Sequence, residues 1–259
     1  MRHRQGRNPP RNPQSSPAGP EPGWLWGAHA VRAALENPRR RIRRLLLTVA
    51  ASSGLEATAR DRGITAEIVE NDRLARVLPR EAVHQGAALL ATPLPETDLE
   101  EAVGGAPGRR RLIMLDQVSD PHNLGAILRS AAAFGAAGVI VQDRHSPAIS
   151  GVLAKAASGA LEIVPLIRVV NLARTLDELG ELGFWRLAFA DGAIQSLGAL
   201  DLDRDLVLVF GAEGEGLRRL TRERCDLAVR LPTDPKMPSL NVSNAAAVAL
   251  YACAAARPD

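Results

Sequence analysis

The chain of 259 residues is long enough to bury a sizeable core in one large domain or two modest ones. Its composition, with 46% hydrophobic and 24% charged residues, is that of a globular protein and excludes a wholly disordered chain. The longest uncharged apolar run, from Ala245 to Ala256, is too short to span a bilayer, and the polar N-terminus lacks the apolar core of a signal peptide. We therefore expect a cytoplasmic protein with no membrane segment.

Charge is placed unevenly along the chain. Residues 1–92 contain 15 Lys and Arg against 8 Asp and Glu, whereas residues 93–259 contain 17 against 21. A basic front half is typical of a protein that holds RNA or DNA through its N-terminal part, although a solvated charged surface would have the same composition. The two cysteines, Cys225 and Cys253, match no metal-ligand or redox spacing, so we expect buried thiols and no metal site.

The first part of the chain predicts a tail, a small domain and a linker. Residues 1–20 contain five prolines, four arginines and no acidic residue, which predicts a disordered basic tail. Residues 21–92 predict a small α/β domain, with helices over 28–35, 54–62 and 72–78 and strands over 45–49, 64–69 and 86–91. Five arginines within positions 39–44 predict a dense cationic loop. The prolines and glycines of residues 93–108 predict a linker.

Residues 109–259 alternate strands and helices with the spacing of a parallel sheet. The predicted strands are 112–115, 138–141, 162–166, 184–190, 206–210 and 227–231. The predicted helices are 123–134, 149–157, 172–182, 217–222 and 242–256. This alternation predicts a doubly wound α/β domain, whose ligand should bind where loops leave the carboxyl ends of the strands.

Three loops of this domain carry more polar side chains than folding requires. Asn123 lies at a predicted helix start, where capping would explain it, and Arg129 follows among apolar neighbours, so we expect a partner for its charge. Residues 211–216 place Glu213 and Glu215 between three glycines. This spacing permits close backbone approach to a ligand but is not the dinucleotide fingerprint, and the glutamates suit a cation or a hydroxyl better than a phosphate.

The third loop precedes the last predicted helix. Three prolines between positions 232 and 238 hold it rigid, and Ser239 and Asn241 follow at the helix start. Capping explains only one of these two side chains. The small residues of the helix itself would allow another backbone to pack closely, as in a dimer.

Together the three loops resemble the three motifs of the SpoU/TrmH class of knotted (SPOUT) RNA methyltransferases. The pattern Asn123-x-Gly125-x-x-x-Arg129 resembles the first motif, residues 210–216 the second and residues 239–243 the third, in family order. Residues 27–31, 82–86 and 217–226 are similar to the bacterial group that methylates a guanosine 2′-hydroxyl in 23S ribosomal RNA, the first two lying in its substrate-binding domain. One residue departs from the pattern, since Pro235 stands where the family usually has glycine.

The resemblance implies a fold, a cofactor and a reaction. It implies an N-terminal RNA substrate-binding domain, a C-terminal methyltransferase domain with a trefoil knot, and a homodimer. It implies transfer of a methyl group from S-adenosylmethionine to a ribose 2′-hydroxyl, with a guanosine of 23S ribosomal RNA as the preferred target. The cofactor would contact Gly211, Leu231 and Leu240, largely through main-chain groups. The catalytic residues that it implies are Asn123, Arg129, Glu213, Ser239 and Asn241.

The role of Arg129 has two accounts. The family often assigns this arginine as the general base, but a guanidinium is treated as permanently charged in proteins. A cation that holds the RNA phosphate and lowers the pKa of the hydroxyl is the simpler physical account, with Glu213 as the alternative base.

Three other interpretations compete with this reading. The substrate could be transfer RNA or another ribosomal site, against which the N-terminal domain argues. The chain could be a catalytically silent RNA-binding protein on the same scaffold, against which the retained polar motif residues argue. A nicotinamide oxidoreductase is disfavoured by the glycine spacing and by the missing acidic ribose contact.

Overall fold

A computed structural model describes residues 23–105 and 109–256. The predicted basic tail over residues 1–20 lies outside the described residues. In the described part, two β-sheets follow one another along the chain, as the alternating pattern of the sequence predicts. Within that part no helix combines the length and the apolar character needed to cross a bilayer.

The N-terminal unit is a four-stranded sheet with three helices. The strands are Gly23–Trp26 (β1), Ile42–Leu47 (β2), Ala66–Ile68 (β3) and Ala87–Ala91 (β4), and the helices are Ala28–Glu36 (α1), Val49–Asp61 (α2) and Asn71–Val77 (α3). The strand order is β1-β4-β2-β3, with β2 and β3 parallel and the other pairs antiparallel. The sequence does not predict β1, because four residues are too few for a clear alternation of apolar and polar side chains.

The dense cationic loop predicted over residues 39–44 is wrong. Arg44 lies in β2 and pairs with Glu67 of β3. Arg40 is 5% exposed and forms an ion pair of 2.5 Å with Glu162, which belongs to the C-terminal unit. Glu162 is so distant in sequence from Arg40 that the local pattern cannot show the pair. Counting arginines therefore overestimated the positive charge that this segment offers to a ligand. Three arginines of this segment remain exposed: Arg39, Arg41 and Arg43.

The segment between the two sheets is partly helical. Leu99–Val103 (α4) lies within the predicted linker, and the Asp98 side chain accepts a hydrogen bond of 2.7 Å from the backbone N–H of Glu101. Val103 of this helix is buried in the core of the C-terminal unit. The boundaries of the domains remain a prediction.

The C-terminal unit is a seven-stranded, fully parallel sheet with helices on its faces. The strands are Arg111–Asp116 (β5), Gly138–Gln142 (β6), Leu166–Val169 (β7), Trp185–Phe189 (β8), Gln195–Ser196 (β9), Leu206–Gly211 (β10) and Leu227–Arg230 (β11). The helices are Pro121–Ala133 (α5), Gly151–Ala157 (α6), Leu172–Glu181 (α7), Arg219–Glu223 (α8) and Val242–Ala255 (α9). The strand order is β7-β6-β5-β10-β8-β11-β9.

The strand predicted over residues 162–166 is wrong. Ala160–Glu162 forms a short 3-10 helix, and the strand begins only at Leu166. The apolar residues 163–165 favour a buried strand in the sequence pattern. In the structure the carboxylate of Glu162 accepts hydrogen bonds from Arg40 and Asn37 of the N-terminal unit. This contact between units is invisible to a periodicity argument.

The two units share one apolar core. A single cluster of buried side chains contains Leu45 and Leu89 of the N-terminal sheet together with Leu153 and Leu161 of the C-terminal unit. A Cβ atom at Gly151, at the start of α6, would overlap the ring of Trp26. The absence of a side chain at residue 151 therefore lets α6 lie directly against β1. The trefoil knot implied by the resemblance stays a prediction.

Candidate active site

The three motif loops leave the same edge of the C-terminal sheet. β5 and β10 are adjacent and parallel, and their last residues, Asp116 and Gly211, face each other in register. β11 lies on the far side of β8 from β10 and runs in the same direction. Because the carboxyl ends of parallel strands meet at one edge, the loops after β5, β10 and β11 converge there, as the sequence predicts.

In the first loop, the cap of α5 is Asp120 and not Asn123. The Asp120 side chain accepts a hydrogen bond of 2.9 Å from the backbone N–H of His122, and Pro121 occupies the first helical position. The expectation that capping explains Asn123 is therefore wrong. Its side-chain amide instead donates a hydrogen bond of 3.2 Å to Oε1 of Glu213.

The glycines of the second loop fold it back on itself. Ala212 and Gly216 form an isolated bridge, and Gly214 and Gly216 have φ values of 83° and 68°, which residues other than glycine rarely adopt. A Cβ atom at Gly211 would overlap the backbone of Gly216. The closed loop presents the side chains of Glu213 and Glu215 at the protein surface.

In the third loop, Asn241 has two tasks. Its Oδ1 accepts hydrogen bonds from the backbone N–H groups of Ser243 and Asn244 and so caps α9. Its Nδ2 donates to Oε1 of Glu213 at 2.5 Å and to Oδ1 of Asn123 at 3.0 Å. Asn123, Glu213 and Asn241, one from each motif loop, thus form a single hydrogen-bonded cluster, which we call the amide–carboxylate cluster.

Two predicted catalytic residues stand apart from this cluster. Arg129 is exposed on α5 and makes no hydrogen bond or ion pair within residues 23–105 and 109–256, so the partner expected for it is not found there. The Ser239 side chain is also exposed, and across the same described ranges its hydroxyl has no hydrogen-bond partner. Both groups are therefore available to a ligand or to another chain.

A cleft of about 490 Å³ opens between the loops after β8, β10 and β11. It is lined by all three predicted cofactor-contacting residues, Gly211, Leu231 and Leu240, and also by Glu213 and Ser239. A cleft of this volume, lined by apolar side chains together with several polar and charged groups, is typical of a small-molecule site.

The cleft also contains residues that the sequence analysis missed. Phe189 and Phe210 stack with ring centroids 4.3 Å apart and both line it, together with Asp191 and Arg222. Phe189 and Asp191 lie at the end of β8. The sequence gives the end of this strand but not the sheet order that inserts β8 between β10 and β11, so their place in the site was not predicted.

An ion pair between a buried carboxylate and a partly exposed arginine supports the loops. Asp116 is fully buried and accepts hydrogen bonds from Nε of Arg218 at 2.6 Å and from the backbone N–H of Arg218 at 3.1 Å. Arg218 also donates to the side chain of Gln142, at 2.9 Å. The ends of β5 and β6 are thereby tied to the segment that follows the glycine loop.

The cleft fits S-adenosylmethionine by its chemistry. Stacked phenylalanines and leucines offer apolar contact to an adenine ring, and the carboxylates of Asp191, Glu213 and Glu215 offer negative charge to a sulfonium cation. In the described part of the chain, no group of three His, Cys, Asp or Glu side chains is arranged to hold a metal ion. Burial raises the pKa of Cys225 to about 12, so its thiol stays protonated at neutral pH.

Comparison with known proteins agrees with this geometry. The model of the SpoU rRNA Methylase family matches residues 110–251, and that of the RNA 2′-O ribose methyltransferase substrate binding domain matches residues 24–97. A 23S rRNA (guanosine-2′-O-)-methyltransferase RlmB from Xylella fastidiosa is 41% identical over 235 residues, which cover 88% of this chain and 94% of the relative. The RlmB of Ralstonia nicotianae is 42% identical over 240 residues, covering 88% and 93%.

A solved structure shares the fold over most of the chain. The SpoU methyltransferase AviRb from Streptomyces viridochromogenes, crystallised with its cofactor AdoMet, has a TM-score of 0.76 and covers 90% of this chain, with 89% of its own chain covered. At 23% identity this likeness supports the fold alone. The family match over the three motif loops and the length shared with the RlmB relatives establish that the chain belongs to the SpoU family of S-adenosylmethionine-dependent RNA 2′-O-ribose methyltransferases.

Proposed function

We propose that the specific reaction of this protein is methylation of the ribose 2′-hydroxyl of a guanosine in 23S ribosomal RNA, with S-adenosylmethionine as methyl donor. The observation that carries the proposal is the amide–carboxylate cluster at the rim of the cleft, since it joins all three motif loops at one carboxylate. The choice of RNA and of base is supported by the names of the RlmB relatives. In this proposal the protein works in the cytoplasm, where bacterial ribosomal RNA is made.

The proposed reaction divides the work between cofactor and protein. S-adenosylmethionine supplies an activated methyl group, so the protein must orient the hydroxyl and take up one proton. Oε1 of Glu213 is held by two amide donors, while its Oε2 has no hydrogen-bond partner in the described ranges. Oε2 is therefore the atom that we expect to receive a hydrogen bond from the ribose hydroxyl. Ser239 and Asn241 orient the acceptor strand and the loop.

Arg129 has the role of a cation in this proposal. Its guanidinium is exposed and has no partner among the described residues, so it suits an RNA phosphate, which it would hold beside the acceptor nucleotide. We expect Arg129→Lys to retain cofactor binding and a measurable fraction of the activity. If Arg129 were the base, lysine with its lower pKa would shift the pH–rate profile of single-turnover methylation down by about one unit or more.

The N-terminal unit is proposed to supply sequence-independent RNA affinity. Arg39, Arg41 and Arg43 are exposed, and the structure gives none of these three side chains an ion pair in the described ranges. Replacing all three with glutamine should weaken RNA binding and flatten its salt dependence, while the affinity for S-adenosylmethionine stays unchanged. Equal salt slopes for the two proteins would contradict this assignment.

We also infer a homodimer. Val248 and Tyr251 of α9 are 46% and 62% exposed, and they lie on one face of the helix with Asn244 and Ala255. Covering such a face by a second copy would remove it from water and could bring Arg129 of one copy near the loops of the other. Light scattering should give the dimer mass, and Val248→Glu should shift it toward the monomer mass.

The reaction itself is tested by mapping the methyl mark. Purified protein, S-adenosylmethionine and unmodified 23S ribosomal RNA should give one 2′-O-methylguanosine, and Glu213→Gln should abolish it even at saturating S-adenosylmethionine. Transfer RNA serves as the competing substrate. Methylation of transfer RNA alone would exclude the ribosomal target, and cofactor binding without methylation of either RNA would support a silent RNA-binding protein.

A further inference from the structure

A second concave surface lies on the other side of the glycine loop from the cofactor cleft. This groove of about 420 Å³ is lined by Gln117 and Ser119 after β5, by residues 145–147 after β6, and by Ala212 and Glu215 after β10. A smaller recess shares Gln117, Ser119 and Ala212 with it and continues to Asn123 and Glu213. The groove therefore joins the amide–carboxylate cluster, and Glu215 lines both the groove and the cleft.

Three polar side chains of the groove are left without partners in the part of the chain that the structure describes. Over the described residues, the side chains of Gln117, His145 and Glu215 form no hydrogen bond or ion pair. Gln117 is only half exposed, so the lack of a partner costs it more than it would cost a fully solvated amide. These groups present a carboxylate, an amide and an imidazole to one space.

Two of these residues also have strained backbones. Gln117 has φ of 61° and His145 has φ of 71°, in the left-handed region that residues with a side chain rarely adopt. They lie on separate loops, yet both line the same groove. Strain of this kind persists where the surrounding structure enforces it, and it is concentrated at binding sites.

We propose that this groove holds the base of the target nucleotide and selects guanine, with Glu215 as the specificity-determining residue. The inference rests on the proposed function, because it places the 2′-hydroxyl at Glu213. The base of the same nucleotide must then lie within one nucleoside of the cluster, and the recess leads from the cluster into the groove. Single-stranded RNA bases are read on their Watson–Crick edges and stacked on flat side chains.

The groups of the groove match the edge of guanine. Guanine offers two adjacent donors, N1–H and the 2-amino group, which a carboxylate accepts together, and one acceptor, O6, which the Gln117 amide can meet. Adenine and the pyrimidines do not present two donors next to one acceptor in this order. His145 would stack against the base from the loop after β6.

The test compares guanosine with inosine at the mapped position of a ligated 23S transcript, because inosine lacks only the 2-amino group. The wild-type protein should methylate the guanosine substrate about 10- to 100-fold faster in single turnover, the loss expected for one hydrogen bond to a charged group. Glu215→Gln should lower the rate on guanosine and bring this ratio close to one. An effect of Glu215 on cofactor binding would change the guanosine and inosine rates equally, because both substrates react with the same enzyme–cofactor complex. The ratio of the two rates therefore reports base recognition alone.

Glu181→Gln is the matched control, since Glu181 is an exposed carboxylate on α7, outside both the cleft and the groove, and should leave the ratio unchanged. His145→Ala should slow both substrates equally. A wild-type ratio retained in Glu215→Gln would overturn the inference while leaving the proposed function intact. Absence of any guanosine methylation by the wild-type protein would overturn both.

Discussion

The contact between the two units and the edge with the motif loops are opposite kinds of surface. At the contact, charge is buried and satisfied: Arg40 and Glu162 are each about 5% exposed and share two hydrogen bonds, and Arg40 donates another to the backbone carbonyl of Thr92. At the edge, Arg129, Ser239 and Glu215 are exposed and have no partners in the described ranges. In the first region the chain itself pairs its charged groups. In the second region the polar groups are left for a ligand or another chain to pair.

The largest effect is expected from breaking the buried ion pair. Glu162→Gln keeps the shape of the side chain but leaves the charge of Arg40 buried without a counter-ion. We expect the free energy of unfolding to fall by about 3–5 kcal/mol in urea titrations. The exposed pair Arg174–Glu178 provides the control, and Glu178→Gln should cost about 0.5 kcal/mol or less. Equal losses in the two variants would refute the contrast.

A smaller effect is expected from filling the space between the units. Gly151→Ala should destabilise the protein by about 1–3 kcal/mol, because the added methyl group overlaps the Trp26 ring. This loss should appear although alanine is the better helix former. Gly198 has open space around its Cβ position, so Gly198→Ala should change the unfolding midpoint little. Stabilisation by Gly151→Ala would show that the units do not pack as described.

At the edge, function and stability should separate at Asn241. Asn241→Ser keeps an N-cap for α9 but removes the amide that donates to Glu213 and Asn123. We expect the methylation rate to fall at least about tenfold, which is the effect of losing one hydrogen bond to a charged group. The free energy of unfolding should stay nearly unchanged. Asn241→Ala should lose the same activity and in addition about 1 kcal/mol of stability. An active Asn241→Ser protein would remove Asn241 from the catalytic cluster.

The smallest effect is expected from acid titration of a partly exposed pair. Burial opposes the charge of Asp226, but hydrogen bonds from the Arg186 side chain and backbone outweigh it and hold the pKa of Asp226 below its usual value. This carboxylate therefore stabilises the fold above about pH 4, and the contribution is lost as pH falls through its folded pKa.

Asp226→Asn should consequently lower stability at neutral pH by less than about 1 kcal/mol. The difference from the wild type should shrink in urea titrations carried out below about pH 4. A difference that grows on acidification would mean that the pKa of Asp226 is raised in the folded protein.

Much of this contrast could be predicted from sequence, and the remainder could not for physical reasons. Strand and helix periodicity located most elements of the parallel sheet, and polar residues at three strand ends predicted the edge at which the motif loops converge. The strand β1, the shifted strand β7 and the pair Arg40–Glu162 were missed because each depends on a contact between distant segments. Asn123 was given a capping role that Asp120 fills, since both residue types cap helices equally well.

The shared apolar core has a consequence for how such proteins can be rearranged. β1 packs directly against α6 at Gly151, and the carboxylate of Glu162 is paired with Arg40 of the other unit. Separating the two units would therefore expose apolar side chains of the shared core and leave Glu162 without its counter-ion. A chimera that attaches a foreign RNA-binding unit to this methyltransferase unit needs a flat aromatic residue and a buried guanidinium at matching positions. An N-terminal unit can therefore be exchanged only for one that carries both the aromatic residue and the buried arginine.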